Sequence, residues 1–174
     1  SNTLRNGRIS GDDWVKLATS AGYLSTLPLF IDDTASMTVQ QMKAKLRRTK
    51  NLGLVIIDYL QLMESATTRS DNRVLVISEI TRQLKVMAKE LNVPVILLSQ
   101  LSRAVESRTD KRPMLSDLRE SGSIEQDADI VLFLYREAYY NKESQRQNIS
   151  ECIVAKNRHG ETGSVELIWD GQYT

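Results

Sequence analysis

Three runs of apolar, largely β-branched residues constrain the fold of this chain more than any other feature of its sequence. They span residues 54–57, 95–98 and 130–135, and their apolar positions follow one another without alternation. Runs of this kind are typical of strands covered on both faces, as in parallel sheets. Between the first two runs, apolar residues recur at steps of three and four from Val74 to Leu91, which predicts an amphipathic helix. The sequence therefore predicts an α/β fold.

Shorter elements complete this prediction. The pairs Ser10 with Asp13 and Thr38 with Gln41 have the spacing of helix caps, so a helix is expected after each. Near the end of the chain, two strand-like runs within residues 149–168 predict an antiparallel hairpin. We expect layers of helices on a mostly parallel sheet, completed by this hairpin.

Composition bounds the class of protein. With 174 residues, 41% hydrophobic and 26% charged, the chain has the size and balance of one globular domain. A net charge of +1 excludes a strongly basic surface but leaves room for a local basic patch. The lone Cys152 cannot form an internal disulfide, which suits a reducing cytoplasm, and the lone His159 excludes a multi-histidine metal site. No apolar run approaches the roughly 18 residues of a membrane span.

Two polar residues follow the buried runs where ligands of parallel sheets gather. Asp58 ends the first run, and Gln100 follows the second after one serine. Neighbouring strands would place both at one edge, where an aspartate can hold Mg²⁺ through water and a glutamine can orient a phosphate or a water. Each residue also fits an ordinary turn at a strand end.

Basic residues form three further candidate sites, each with a plainer alternative. Lys156 and Arg158 lie two apart beside the hairpin turn, where they could clamp a phosphate or merely protect a solvated tip. The segment 119–123 could meet a phosphate chain or simply end a helix. The cations of residues 43–50 could bind phosphate, although a solvated helix face is commoner.

One expected motif is missing from these residues. A phosphate-cradling loop needs glycines followed by Lys-Ser or Lys-Thr at the start of a helix, and no segment has this pattern. The residues alone therefore predict half of a nucleotide site.

Four segments resemble bacterial replicative DNA helicases of the DnaB type. Leu54–Leu62 is similar to the second nucleotide-binding motif of that family, and Pro94–Arg103 resembles its next motif. Lys111–Asp129 is similar to its signature loop region, and Ala155–Gly160 resembles its terminal hairpin. The likeness extends from about Leu4 to Tyr173 in the expected order.

This resemblance implies a RecA-like α/β/α ATPase domain that uses ATP and Mg²⁺, assembles as a homohexamer and moves 5′ to 3′ on single-stranded DNA. It implies that Asp58 holds Mg²⁺ and that Gln100 couples the phosphate state to the DNA loops. It also implies that Arg158, with Lys156, reaches the ATP of the adjacent subunit. The residues implied to contact the DNA backbone are Arg119, Glu120 and Gly122.

The first residues of the chain and the resemblance also set expectations for the extent of the chain and for its partners. We expect residues 1–3 to be a tag remnant or start segment, and residues 4–174 to be a partial motor domain without the phosphate-loop strand and helix. The catalytic glutamate is expected to be absent too, so the chain alone should not hydrolyse ATP. A primase, a helicase loader and a location in the bacterial nucleoid follow from the family. The alternatives are a recombinase or clock-type ATPase, and a non-catalytic domain that binds DNA or a partner.

Overall fold

The computed structural model describes residues 6–65 and 72–172, and only the backbone of residues 119–121. It divides into two compact units, one of residues 1–34 with 170–174 and one of residues 35–169. The prediction for residues 1–3 lies outside the described residues, and the prediction of one partial domain over 4–174 stays a prediction.

In its described residues, the first unit contains the helix α1 (Gly11–Ser25). The predicted cap begins it, because the Ser10 hydroxyl oxygen accepts a hydrogen bond from the Asp13 backbone N–H at 3.2 Å. The Asp13 carboxylate in turn accepts one from the Ser10 N–H at 3.4 Å. None of the helix residues is buried.

The second unit alternates helices and strands. Two of its helices precede or separate the first strands: α2 (Val39–Leu46) and α3 (Arg73–Leu91). The three shorter helices are α4 (Ala104–Ser107), α5 (Gly122–Asp127) and α6 (Glu137–Tyr140). Short 3₁₀ helices occupy Leu60–Leu62 and Leu115–Ser121. The strands are β1 (Val55–Ile57), β2 (Val95–Leu97), β3 (Ile130–Tyr135), β4 (Ile149–Asn157) and β5 (Gly163–Ile168).

The long helix α3 supplies most of the larger core, as its apolar spacing predicts. Asn72 caps its start by accepting a hydrogen bond from the Val74 N–H at 3.1 Å. It ends at Asn92, whose φ of 52° is left-handed, a conformation that asparagine tolerates well. Its buried side chains pack in one cluster with Val55 and Ile57 of β1. Each fully buried aliphatic side chain contributes about 1.5–3 kcal/mol, so this face fixes α3 against the strand.

Hydrogen bonds in the described residues form two sheets. Strands β1 and β2 are parallel, with Ile57 opposite Leu97, and β3, β4 and β5 form an antiparallel sheet in that order. The α/β class and the β4–β5 hairpin are confirmed. Strand β3 differs from the expected topology, because it pairs antiparallel with β4, the next strand along the chain, through the return of residues 136–148.

Burial alternates along strands for which the sequence predicts burial on both faces. In β1, Val55 and Ile57 are buried while Ile56 is 61% exposed. In β3, Phe133 is buried while Leu134 is 76% exposed. The prediction of burial on both faces is wrong for the described part of the chain, because helices cover only one side of these strands there.

Candidate functional site

The ends of β1 and β2 form one edge that carries both polar residues predicted from the sequence. Beyond the paired strands, the Leu98 N–H donates to the Ile57 carbonyl at 2.9 Å, and the Leu60 N–H donates to the Leu98 carbonyl at 2.9 Å. These bonds hold side by side the residues that directly follow β1 and β2, called the exits of the two strands below. Asp58 and Gln100, which follow the strands, are both exposed at this edge.

Gln61 joins the two exits through its side chain, a role that the residue pattern did not predict. Its amide Nε2 donates to the Ser99 hydroxyl at 3.1 Å, and its Oε1 accepts from the Gln100 backbone N–H at 3.4 Å. Its own carbonyl accepts a hydrogen bond from Arg73 at 2.7 Å. The position of Gln100 is therefore tied to the segment that begins with Asp58. The sequence does contain a signal for this role, because Gln61 is a polar residue between two leucines shortly after Asp58.

Asp58 suits a metal that keeps most of its own water. Among the described residues, no group of three or more acidic, histidine or cysteine side chains could enclose a metal ion. Mg²⁺ in nucleotide sites is commonly held by one or two carboxylates together with phosphate oxygens and water. A single exposed carboxylate at a strand end fits that ligand set.

Arg158 and Lys156 both contact the segment that joins α5 to β3. The Arg158 Nη1 lies 3.4 Å from the Asp129 carboxylate, and its backbone N–H donates to the Asp129 carbonyl at 2.9 Å. The Lys156 ammonium donates to the carbonyls of Glu125 and Ala128 at 2.6 and 2.8 Å. Both side chains thus reach residues 125–129. Lys156 is bonded within its own chain, whereas about half of the Arg158 side chain is exposed.

Asp129 carries the charge that balances Arg158. Lys85 of α3 also pairs with this carboxylate. The hydrogen bond from Lys85, aided by the nearby charges of Lys85 and Arg158, holds the pKa of Asp129 below its usual value. Asp129 therefore stays ionised at neutral pH and restrains the Arg158 guanidinium.

The predicted DNA-contacting residues lie at the junction of a 3₁₀ helix and α5. Gly122 has helical angles, φ −51° and ψ −22°, and begins α5. The side chains of Arg119 and Glu120 lie outside the part that the structure describes. Their roles, like those of Gly122, stay predictions.

The basic face of α2 has a structural use. Lys43 and Arg47 both pair with Glu90 of α3, the latter at 3.3 Å. These two cations thus attach α2 to α3, a role that neither the phosphate-binding nor the solvated-face interpretation of residues 43–50 described.

An aromatic cavity of about 380 Å³ lies near the ends of β3 and β5. Tyr135 and Tyr140 stack with ring centroids 6.1 Å apart, and the Arg136 guanidinium lies 4.3 Å from the centre of the Trp169 ring. Aromatic faces beside guanidinium groups can stack on flat rings such as nucleobases. The residue pattern did not predict this cavity, although three tyrosines within residues 135–140 were a visible signal.

The comparisons with known proteins decide the family. The family model for the DnaB-like helicase C terminal domain matches residues 1–174. The chain belongs to this family. It is 53% identical, over 99% of its length, to the replicative DNA helicase DnaB of Geobacillus stearothermophilus. It has the same identity and coverage with the replicative DNA helicase DnaC of Bacillus subtilis (strain 168). The chain spans 39% of the length of each of these relatives.

Solved structures of similar sequence share the fold. One solved ATPase domain matches 99% of this chain at a TM-score of 0.92 and 50% identity, and the match covers 63% of that domain's chain. A DnaB-like replicative helicase studied with primase matches 93% of this chain at a TM-score of 0.87 and 52% identity, and the match covers 40% of that chain. The predicted RecA-like fold class is confirmed, and membership of the DnaB-like family favours the helicase interpretation over a recombinase or clock-type ATPase.

No helix in the described ranges has both the length and the apolar character needed to cross a membrane.

Proposed function

We propose that this chain forms the motor part of a replicative DNA helicase that moves 5′ to 3′ on single-stranded DNA by hydrolysing ATP. The observation that carries the proposal is the family match over residues 1–174, on a chain whose first two strands end together at one polar edge. The curated relatives are longer than this chain, so the activity is proposed for a protein in which the chain is one part.

Asp58 is proposed as the residue that holds Mg²⁺, through water, beside the ATP phosphates. In support, its carboxylate is exposed at the end of β1, where parallel sheets bind ligands. Mg²⁺ would supply positive charge to the phosphate oxygens during phosphoryl transfer. Asp58 itself would fix the hydrated ion relative to the sheet. The phosphate-cradling loop would be supplied by residues other than these 174.

Gln100 is proposed to sense the phosphate state and to pass it to the DNA loops. Two observations support this role. The Gln100 backbone N–H donates a hydrogen bond to Gln61. Ser102, two residues after Gln100, donates its N–H to the Asp117 carbonyl at 3.0 Å. A change in position at Gln100 would thus act on both the β1 exit and the loop that follows.

Arg158 is proposed to act on the ATP of the adjacent subunit in a homohexamer, with Lys156 beside it. A guanidinium can stabilise the negative charge that develops on the transferred phosphoryl group. The half-exposed side chain of Arg158 supports this role, since its guanidinium is open to a neighbour. The contacts of Lys156 with Glu125 and Ala128 support a role in holding the strand that carries Arg158.

The segment with Arg119, Glu120 and Gly122 is proposed to contact the backbone of single-stranded DNA. Primase and a helicase loader are proposed partners, the first supported by a structural relative described with its interactions with primase. The proposed location is the bacterial cytoplasm, at the nucleoid.

Replacing Asp58 in a full-length helicase that contains this chain tests the proposal. We expect Asp58→Asn to lower DNA-stimulated ATP hydrolysis by about 100-fold or more, because the hydrated Mg²⁺ loses its carboxylate. Asp12→Asn, on exposed α1, is the control and should leave the rate unchanged. A rate for Asp58→Asn equal to that of the unaltered protein would contradict the role of Asp58. An unaltered protein that binds DNA but hydrolyses no ATP would favour the non-catalytic alternative.

A further inference from the structure

A partly buried ion pair lies beside the segment with Arg119, Glu120 and Gly122 that is proposed to contact DNA, called the DNA segment below. The Arg108 guanidinium donates to both oxygens of the Asp117 carboxylate, each at 2.9 Å, in a two-pronged arrangement. Asp117 is only 5% exposed and the Arg108 side chain 29% exposed. Pairs of this geometry are directional as well as strong.

Both partners have further hydrogen bonds within the same loop. Arg108 also donates to the carbonyls of Asp110 and Arg112, at 3.2 and 2.8 Å. The Asp117 carboxylate also accepts from the Met114 N–H at 2.8 Å. The guanidinium thus closes the loop of residues 108–117 on itself. Breaking the pair would leave a buried charge uncompensated.

The position of the pair connects two parts of the proposed site. Asp117 lies two residues before Arg119, in the 3₁₀ helix Leu115–Ser121 that leads into Gly122. Its carbonyl accepts the hydrogen bond from Ser102, two residues after Gln100. The pair therefore fixes the start of the DNA segment relative to the exit of β2.

We propose that Arg108 and Asp117 are positioning residues that hold the DNA-contacting segment against the β2 exit, so that DNA binding is coupled to ATP hydrolysis. This inference rests on the proposed function. Neither residue is required to touch ATP or DNA. Their loss should therefore affect DNA binding and DNA stimulation, and spare hydrolysis measured without DNA.

The test uses the full-length helicase containing this chain, with Arg108→Ala and Arg108→Lys. Affinity is measured by the fluorescence anisotropy of a labelled oligothymidylate, and ATP hydrolysis is measured with and without that DNA. We expect Arg108→Ala to weaken DNA binding about tenfold and to lose most of the DNA stimulation, because charge-assisted hydrogen bonds are lost. Hydrolysis without DNA should stay within about twofold of the original rate.

Arg108→Lys keeps the positive charge but cannot form the two-pronged contact, so it should give an intermediate loss of affinity. If Arg108→Ala does not fold, Arg108→Lys is the variant in which DNA affinity and ATP hydrolysis are measured. Lys43→Ala is the matched control, since it removes an ion-paired side chain of similar burial, 25% exposed, between α2 and α3.

Unchanged DNA affinity in both Arg108 variants would overturn the inference. So would a parallel loss of hydrolysis without DNA, or an equal loss of DNA affinity in Lys43→Ala. A different result, in which the unaltered protein shows no DNA-stimulated hydrolysis, would overturn the proposed function on which the inference rests.

Discussion

Arg158 is the residue that we propose acts on the ATP of an adjacent subunit. It lies one residue beyond β4 and is restrained by Asp129, yet about half of its side chain is open. The contact with Asp129, at 3.4 Å between charged groups in a partly exposed place, is worth little on its own, about 0–1 kcal/mol. Little free energy is therefore lost when the Arg158 guanidinium leaves Asp129 to bind a phosphate group.

We expect Arg158→Ala in the full-length helicase to lower kcat for ATP hydrolysis by about 1,000-fold or more with little change in KM, because the charge acts mainly in the transition state. Mixing this variant with Asp58→Asn subunits should restore part of the activity, since some interfaces then combine an intact Asp58 with an intact Arg158. Steady-state kinetics of mixed hexamers measures this. A mixture no more active than the two separate variants would contradict action between subunits.

A buried carboxylate, that of Glu151, holds the antiparallel sheet to the neighbouring loop. Glu151 of β4, 8% exposed, pairs with Arg112 of the loop and accepts a hydrogen bond from Ser164 of β5 at 2.9 Å. Arg146 lies 3.5 Å away. The hydrogen bond from Arg112, followed by that from Ser164 and the charges of both arginines, lowers the pKa of Glu151.

This contact predicts a pH dependence of stability. A carboxylate whose pKa is lowered by folding stabilises the native state above its unfolded pKa, about 4.3, and that contribution is lost as the pH falls through the folded value. We expect Glu151→Gln to lower the free energy of unfolding by about 2 kcal/mol at pH 7, with the difference shrinking below about pH 4. Urea denaturation over a pH series measures it.

Glu166→Gln is the control for this experiment. Glu166 also pairs with Arg146, but its side chain is 66% exposed, so its replacement should change stability by less than about 0.5 kcal/mol. A difference for Glu151→Gln that is independent of pH would contradict the assigned cause.

The helices could be predicted from residues a few positions apart, whereas the pairing of strands from distant segments could not. The caps at Ser10 and Thr38 and the long helix α3 depend on residues a few positions apart, and all three formed as predicted. The antiparallel pairing of β3 with β4 depends on contacts made after folding. An apolar run cannot distinguish this pairing from a place in the parallel sheet.

The candidate site divides in the same way. Asp58 and Gln100 were predictable because strand ends meet at one edge of a parallel sheet. The hydrogen bonds of Gln61, the pairing of Arg108 with Asp117 and the aromatic cavity join side chains from separate segments, and residue types alone do not specify them.

One face of the parallel strands is exposed. This exposure agrees with the finding that the chain spans only part of the length of its relatives. Ile56 and Ile96 of the parallel strands are 61% and 50% exposed, although parallel sheets are normally covered on both faces. The chain covers 63% of the solved ATPase domain that it matches at a TM-score of 0.92. We therefore propose a larger protein in which this chain supplies one edge of the nucleotide site and the segment that contacts DNA.

Strand separation by the full-length helicase containing this chain is the decisive test of this proposal. The substrates are two forked DNA duplexes, each incubated with ATP and Mg²⁺. In one fork the 3′ tail is made double-stranded, so that only the 5′ tail is single-stranded. In the other fork the 5′ tail is made double-stranded, so that only the 3′ tail is single-stranded. We predict separation of the fork that keeps a single-stranded 5′ tail, and none without ATP. Separation only of the fork that keeps the 3′ tail, or of neither fork, would contradict the proposed 5′ to 3′ helicase function.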